Sequence, residues 1–455
     1  MKEKRPSRRI VCWFIGPVAA LLVLGAIFVL MEEDRLDRRK ISFTHAGNTL
    51  QGLLLLPAGT DKPSACMIFV HGSGDMPRDA HGYYEAFWRL FANKGWCSMS
   101  WDKPGTGGSD GDWRLQSMED RADEVSAAID FLRQNLGLEN GPVGLIGFSQ
   151  AGWVLPKVVN RRDDIAFMIP VSGAINWMKQ SRYSGRKRME AEGMSEQEIA
   201  AEQRTNDAIN ALIQSGTSYE TYLKHISENS SAQPMSEAFW GFAKRNWRTD
   251  VRADLRKIDV PVLALFGTHD AYVDPIESAR TYRAELSRSA APVFEIRIFD
   301  HADHGMLATD EVKPTHQGLD AWLMLLRIWF GGDSVFAEGV LECLAEWMDR
   351  LEQTSMSLVA EQMFVETHIA EPTVEAFHRA TIRHDFLGTG VCSVARPGKP
   401  GAAGSRATRS PESELSTTLI RHSRLKSSTK HRMRKRRPST GASETKFRGH
   451  LWFGS

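Results

Sequence analysis

Gly147-Phe148-Ser149-Gln150-Ala151-Gly152 follows the apolar run Val143-Gly144-Leu145-Ile146 and opens a stretch that reads as helix. The run predicts a strand over 143–148, and the spacing beyond it predicts a helix over 151–160, with Pro156 in its second turn as an irregularity. A serine between small residues at such a joint sits on a tight turn with its hydroxyl exposed. The neighbours must be small because strand and helix backbones nearly touch there. Ala151 stands where a second glycine would complete the pattern. A motif this short also arises by chance, so its meaning depends on what surrounds it.

Outward from this joint the pattern alternates. On the N-terminal side, residues 50–56, 66–70 and 97–101 predict strands, the first paired in a hairpin with 41–43 across Gly47-Asn48. Residues 66–70 are continuously apolar, as a strand covered on both faces should be. Helical spacing marks 83–93 and 118–134, the second with Val125, Ile129 and Leu132 on one side. On the C-terminal side, 165–171, 262–266 and 294–299 predict strands, 276–286 a helix, and 318–329 a helix that closes the pattern. This alternation implies an α/β fold with a mostly parallel central sheet, right-handed crossovers and flanking helices.

One interval breaks the rhythm. Some 90 residues separate Val171 from Val262, charge-rich and helical at 196–213 and 238–247. A crossover needs only about a dozen residues. The excess reads as a helical insertion, and its place at the carboxyl end of a parallel strand, where ligand crevices form, reads as a lid. The core then comprises 41–174 and 259–332, split by a lid over 175–258.

Acyl transfer by serine needs a nucleophile, a base, an acid that orients the base, and donors for the oxyanion. Ser149 is the candidate nucleophile. The acid is expected after the strand that follows the lid, where Gly267-Thr268-His269-Asp270-Ala271-Tyr272-Val273-Asp274-Pro275 supplies Asp270 at the strand end. Asp274 is its rival, although an acid before Pro275 suits a helix cap better. The base is expected after the last strand, in Asp300-His301-Ala302-Asp303-His304-Gly305, with His304 first and His301 second. The oxyanion donors are expected to be backbone N–H groups: that of Gln150, at the start of its helix, and that of Ser73 in the loop His71-Gly72-Ser73-Gly74, whose glycines permit the turn.

With these pieces in order, the chain resembles the α/β-hydrolase superfamily. The resemblance runs through His71-Gly72-Ser73-Gly74, Asp102-Lys103-Pro104-Gly105-Thr106-Gly107-Gly108-Ser109, Gly147 to Gly152 with Trp153 and Pro156, Gly267-x-x-Asp270-x-x-Val273, and His304-Gly305. It covers roughly residues 41–330 and is nearest to bacterial serine esterases and acyl hydrolases with a lid, whose nucleophile segment often reads Ser-Gln-x-Gly-Trp. It implies Ser149, Asp270 and His304 as triad and the amides of Ser73 and Gln150 as oxyanion donors. Arg78-Asp79 resembles a structural ion pair of this group, and Asp102 a structural residue of its loop. The departures are Ala151, an apolar N-terminal run and a C-terminal extension.

The rest of the 455-residue chain bears on setting more than chemistry. Composition is globular, 42% hydrophobic and 25% charged, and the net charge of +1 hides a basic end. From Arg396 onward stand 15 Lys and Arg against 3 Asp and Glu. Residues 396–455 are too poor in apolar side chains to order themselves, so a basic disordered tail is expected. Residues 333–395 read as an uncertain, partly helical extension. At the other end, residues 10–31 carry no charge and follow a net +4 over 1–9. This predicts a transmembrane signal anchor behind a basic cytoplasmic segment, with the catalytic domain periplasmic or extracellular. The five cysteines show no metal-like spacing and no disulfide framework, so buried or free thiols are expected. The expectation is a serine hydrolase of carboxylic esters, its partners a small acyl ester and the membrane, with no cofactor, metal or nucleic acid. A thioesterase or peptidase using the same triad is the alternative within hydrolases. A non-catalytic, membrane-tethered binding protein on this scaffold is the alternative outside them.

Overall fold

The computed structural model describes residues 36–353, apart from 136, 139, 230–232 and 315–317. These residues belong to one compact unit; the expected tail and most of the extension lie outside the described residues. The sheet has eight strands: β1 (Leu36–His45), β2 (Asn48–Pro57), β3 (Cys66–Val70), β4 (Cys97–Trp101), β5 (Val143–Phe148), β6 (Ile165–Val171), β7 (Val262–Gly267) and β8 (Phe294–Phe299). Their order is β1-β2-β4-β3-β5-β6-β7-β8. β1 and β2 form the expected hairpin, β2 joins β4 antiparallel, and all later neighbours are parallel. This is the α/β-hydrolase fold.

Alternation along the buried strands sends side chains to two separate cores. Cys66, Ile68 and Val70 join Val125, Ile129, Leu132, Val158 and Tyr282 on one face. Met67 and Phe69 join Phe87, Trp88, Phe91 and Trp347 on the other. The first face is covered by α2 (Met118–Asn135), α3 (Leu155–Val159) and α9 (Pro275–Leu286), the second by α1 (Glu85–Asn93) and a helix over 340–353. The apolar stretch at 318–331 forms the expected helix, α10 (Gly318–Gly331), which packs on the second core through Met324 and Ile328 while Trp322 is 61% and Phe330 73% exposed. The 340–353 helix, within the extension read as partly helical, sets Trp347 edge-on to Phe167 of β6 at 5.2 Å. Pro156 also resolves itself. A 3₁₀ turn, Ser149–Trp153, follows β5, and α3 starts afresh at Leu155, so the proline lies in a first turn, where its missing N–H costs no helical bond.

The expectation of thiols is corrected at one pair. Cys66 and Cys97 are register partners on the parallel strands β3 and β4, with Cα atoms 4.4 Å apart, and form a disulfide. Cys343 is free. Sequence spacing did not reveal the pair because the strands become neighbours only when the sheet assembles. The bridge spans a sequence separation of 31. On chain-entropy grounds a Cys66→Ala/Cys97→Ala variant loses about 3–4 kcal/mol of stability. Urea unfolding measures this, and an unchanged midpoint contradicts it.

The expectation of a transmembrane helix and membrane-anchored location is also corrected. Among the described residues no helix is long and apolar enough to cross a membrane. The most apolar of them, α10, has 14 residues, against the about 20 that a bilayer core requires. Residues 10–31, on which that expectation rested, lie outside the described residues, and the anchor plays no part in the functional reading below.

Between β6 and β7 the chain forms α4 (Trp177–Ala191), α5 (Glu196–Gln214), α6 (Tyr219–Asn229), α7 (Glu237–Asn246) and α8 (Arg252–Leu255). Side-chain caps start four of them: Asn176 for α4, Ser195 in a reciprocal capping box with Glu198 for α5, Ser218 for α6, and Ser236 for α7. Aromatic contacts tie the insertion to the sheet's loops. Trp177 stacks on Trp153 at 5.0 Å and Phe242 meets Trp113 at 5.1 Å, while within the insertion Tyr222 stacks on Trp240 at 4.3 Å.

Candidate active site

Register brings the expected site residues to one edge of the sheet. Val70 pairs with Gly147, which sets His71-Gly72-Ser73 beside Phe148-Ser149-Gln150. Gly267 pairs with Phe299, which sets the Asp270 loop beside the His304 loop. Ser149 takes φ of +54°, a left-handed conformation unfavourable for a residue with a Cβ. Its carbonyl accepts from Ala174 N–H at 3.0 Å, so the turn is anchored to the segment after β6. The packing explains the altered motif. A Cβ at Gly147 would lie 2.6 Å from the Cβ of Ala151, and one at Gly152 would lie 2.4 Å from the nitrogen of Ala174. An alanine fits at 151 because Gly147 leaves it room, and Gly152 lets the turn approach the segment at Gly173-Ala174.

Asp270 and His304 meet. Asp270 is fully buried, and its Oδ2 lies 2.8 Å from His304 Nδ1. Its Oδ1 accepts from the N–H groups of Tyr272 and Val273 at 2.7 and 2.9 Å, which locks the carboxylate. Because a carboxylate only accepts, His304 carries its proton on Nδ1. Its Nε2 is buried without a hydrogen-bond partner among the described residues. Burial pulls the imidazole pKa down, but the charge of Asp270, its hydrogen bond and the charge of Asp303 outweigh it and hold the group above the ordinary 6.5. Tyr272 lies against the ring at 5.0 Å. The rivals are elsewhere: Asp274 caps α9 through the N–H groups of Ile276 and Glu277, and His301 is at the surface, 3.1 Å from Asp310.

The loop before Ser73 is held from below by residues whose role the sequence reading missed. His71 donates from Nε2 to the carbonyl of Trp101 at 2.6 Å, and the Tyr84 hydroxyl donates to its Nδ1 at 2.8 Å. Burial first, with Lys103 and Arg121 nearby, pushes its pKa down to about 3, so it is a neutral fixture. Lys103 Nζ donates to the carbonyl of Gly72 at 3.0 Å. Arg121 donates to the carbonyl of His71 at 2.8 Å and to Gln150 Oε1. Both cations are buried. Lys103 stood inside a recognised motif, but Arg121 looked like any polar position of α2, and only packing shows it turned inward.

The ion pair suggested at Arg78-Asp79 forms differently. Arg78 binds Asp102 through Nη2 at 2.6 Å, through Nε at 3.1 Å and through its backbone N–H at 2.7 Å. Asp79 accepts from His81 N–H instead. Adjacent residues in a turn point apart, whereas Asp102 begins the neighbouring loop. From the insertion, Tyr183 of α4 donates to the carbonyl of Asp270 at 2.8 Å. Among the described residues no cluster of His, Cys, Asp or Glu is arranged to hold a metal ion.

Among solved structures, the chain is similar to the Pyrococcus furiosus esterase Pf2001, at 16% identity over 66% of this chain and 91% of that one, with a TM-score of 0.41. It is similar to Est1E from Butyrivibrio proteoclasticus, at 15% identity over 69% of this chain and 99% of that one, with a TM-score of 0.42. It is also similar to the Pyrococcus horikoshii acylaminoacyl peptidase, at 15% identity over 61% of this chain and 39% of that one, with a TM-score of 0.40. Residues 38–304, more than half of the chain, match the model of the S15 family of X-Pro dipeptidyl-peptidases, and the chain, a hydrolase of the α/β-hydrolase type, belongs to that family.

Proposed function

We propose that this hydrolase cleaves carboxylic esters through an acyl-enzyme. The buried Asp270–His304 pair, 2.8 Å apart with Nε2 of the imidazole unoccupied by any described residue, carries this reading. Ser149 attacks the carbonyl carbon while His304 Nε2 takes its proton. The tetrahedral oxyanion is held by the amides of Ser73 and Gln150. His304 then protonates the leaving alcohol, and water repeats the sequence to release the acid. Asp270 holds the imidazole tautomer and offsets its charge. The turn after Ser149 is short, so Gln150 contributes its amide rather than a helix dipole. The helices over 177–255 act as a lid; their support is the Tyr183 bond to Asp270 and the stacking of Trp177 on Trp153.

A peptidase reading is favoured by the family, whose description names X-Pro dipeptides. A panel of p-nitrophenyl esters, acyl thioesters and Gly-Pro p-nitroanilide separates the readings. The expected result is a kcat/KM for the best ester about 100-fold or more above the anilide and thioesters, a preference of about 3 kcal/mol. Faster cleavage of Gly-Pro p-nitroanilide replaces the ester reading with the peptidase one. Faster thioester cleavage makes it a thioesterase.

A further inference from the structure

We propose that the buried basic residues beneath the oxyanion loop, Lys103 and Arg121, are positioning residues for the oxyanion amides: Lys103 aims and polarises the Gly72–Ser73 peptide, and Arg121 locks that loop to Gln150. The proposal rests on the hydrolytic reading above and deepens it.

The geometry of one peptide unit carries the first half. A trans peptide is planar, so its C=O and N–H point in opposite directions. Lys103 Nζ donates to the carbonyl of Gly72 at 3.0 Å, and the N–H of the same unit belongs to Ser73. Holding the oxygen on the inner side therefore turns the N–H outward. A donor held on the oxygen also draws electron density along the unit and makes its N–H a stronger donor. The amine is itself fixed, 4.4 Å from the centroid of the Trp113 ring.

Arg121 carries the second half. One arm of its guanidinium donates to the carbonyl of His71 at 2.8 Å, and the other to the side-chain oxygen of Gln150. Gln150 Nε2 in turn lies 3.4 Å from Ser73 Oγ. One rigid fork thus ties the loop at His71 to Gln150, and the Gln150 side chain carries the link on to Ser73.

The cost of the arrangement argues for function. Lys103 and Arg121 are 1% and 3% exposed, and two basic groups in one interior are expensive to desolvate. Burial, then the charge of Arg121, holds the Lys103 pKa well below the ordinary lysine value. Glu124 provides partial compensation, but its oxygens are bound by Trp101 Nε1 and Gln116 Nε2 rather than by either cation. Hydroxyl or amide donors would satisfy the same two loop carbonyls with far less desolvation. Polarisation of the amides and control of their spacing are what the buried basic pair adds.

The test compares Lys103→Met and Arg121→Lys with the natural chain in p-nitrophenyl butyrate hydrolysis, inhibition by phenylboronic acid, and urea unfolding. Phenylboronic acid accepts a serine Oγ to form a tetrahedral anion, so its affinity reports the oxyanion site separately from substrate binding. The expected result is a kcat about 10- to 100-fold lower with KM changed less than about twofold, and a boronate inhibition constant raised by a similar factor. A folded variant that keeps its boronate affinity overturns the proposal, whether its kcat is intact or falls in step with stability. If Lys103→Met does not fold, Arg121→Lys decides by the same criteria. Failure of the hydrolytic reading looks different: the natural chain itself is then insensitive to the boronate, or Ser149→Ala still turns over ester.

Discussion

Ser149→Ala is expected to lower kcat by about 10⁵- to 10⁶-fold, to abolish labelling by a fluorophosphonate probe, and to leave the melting transition in place. The loss is large because nucleophile, base and acid act as one unit. Without Oγ, His304 has no proton to take and no acyl-enzyme forms. The protein still folds, because alanine keeps the Cβ and meets the same strain at φ of +54° that serine already bears. The strand end at Phe148 and the bond from Ala174 N–H to the carbonyl of residue 149 impose that conformation without the hydroxyl. Labelling that survives the substitution assigns the nucleophile to another residue.

Asp270→Asn is expected to lower kcat/KM by about 10⁴-fold while the fold persists. The asparagine oxygen can keep the bonds from the N–H groups of Tyr272 and Val273, which Asp270 Oδ1 accepts at 2.7 and 2.9 Å. Its NH₂ then faces His304 Nδ1, donor against donor. The imidazole answers by moving its proton to Nε2, where it can no longer accept from serine. The pH profile adds a second readout. His304 works as a base only when neutral, so activity of the natural enzyme falls as pH drops through a value above 6.5, the group's ordinary pKa. In the variant burial dominates and the inflection moves to lower pH. Stability runs in the opposite sense. A histidine whose pKa is raised on folding stabilises the protein most below 6.5, and this contribution is lost as pH rises through the folded value. Asp270→Asn should remove that dependence. An inflection that stays in place after the substitution contradicts the pairing as the cause of the shift.

Local chemistry made much of this molecule readable. The strand–turn–helix joint at Ser149 was visible because a strained turn tolerates only small neighbours. The eight strands were visible because continuous apolar runs in alternation with helical spacing have few other uses. Asp270 and His304 were candidates because each follows a strand at the same edge, and register then joined them. Arg121 was unreadable for the opposite reason. One face of an amphipathic helix offers no local mark that a cation on it turns inward to bind the loop carbonyls. The pairing of Arg78 with Asp102, 24 residues apart, likewise depends on which loops meet.

The amino-acid order alone determined the fold class, the helical insertion between β6 and β7, and which loops hold the candidate nucleophile, acid and base, since these follow from periodicity and the demands of single turns. Tertiary structure alone decided three further matters. It set Trp347 of the 340–353 helix edge-on to Phe167 of β6, in the core that Met324 and Ile328 of α10 also join. It joined Cys66 to Cys97 by making β3 and β4 register partners. And it brought two buried basic residues beneath the loop that carries Ser73, a juxtaposition of residues 72, 103, 121 and 150 that exists only once the sheet and α2 have packed.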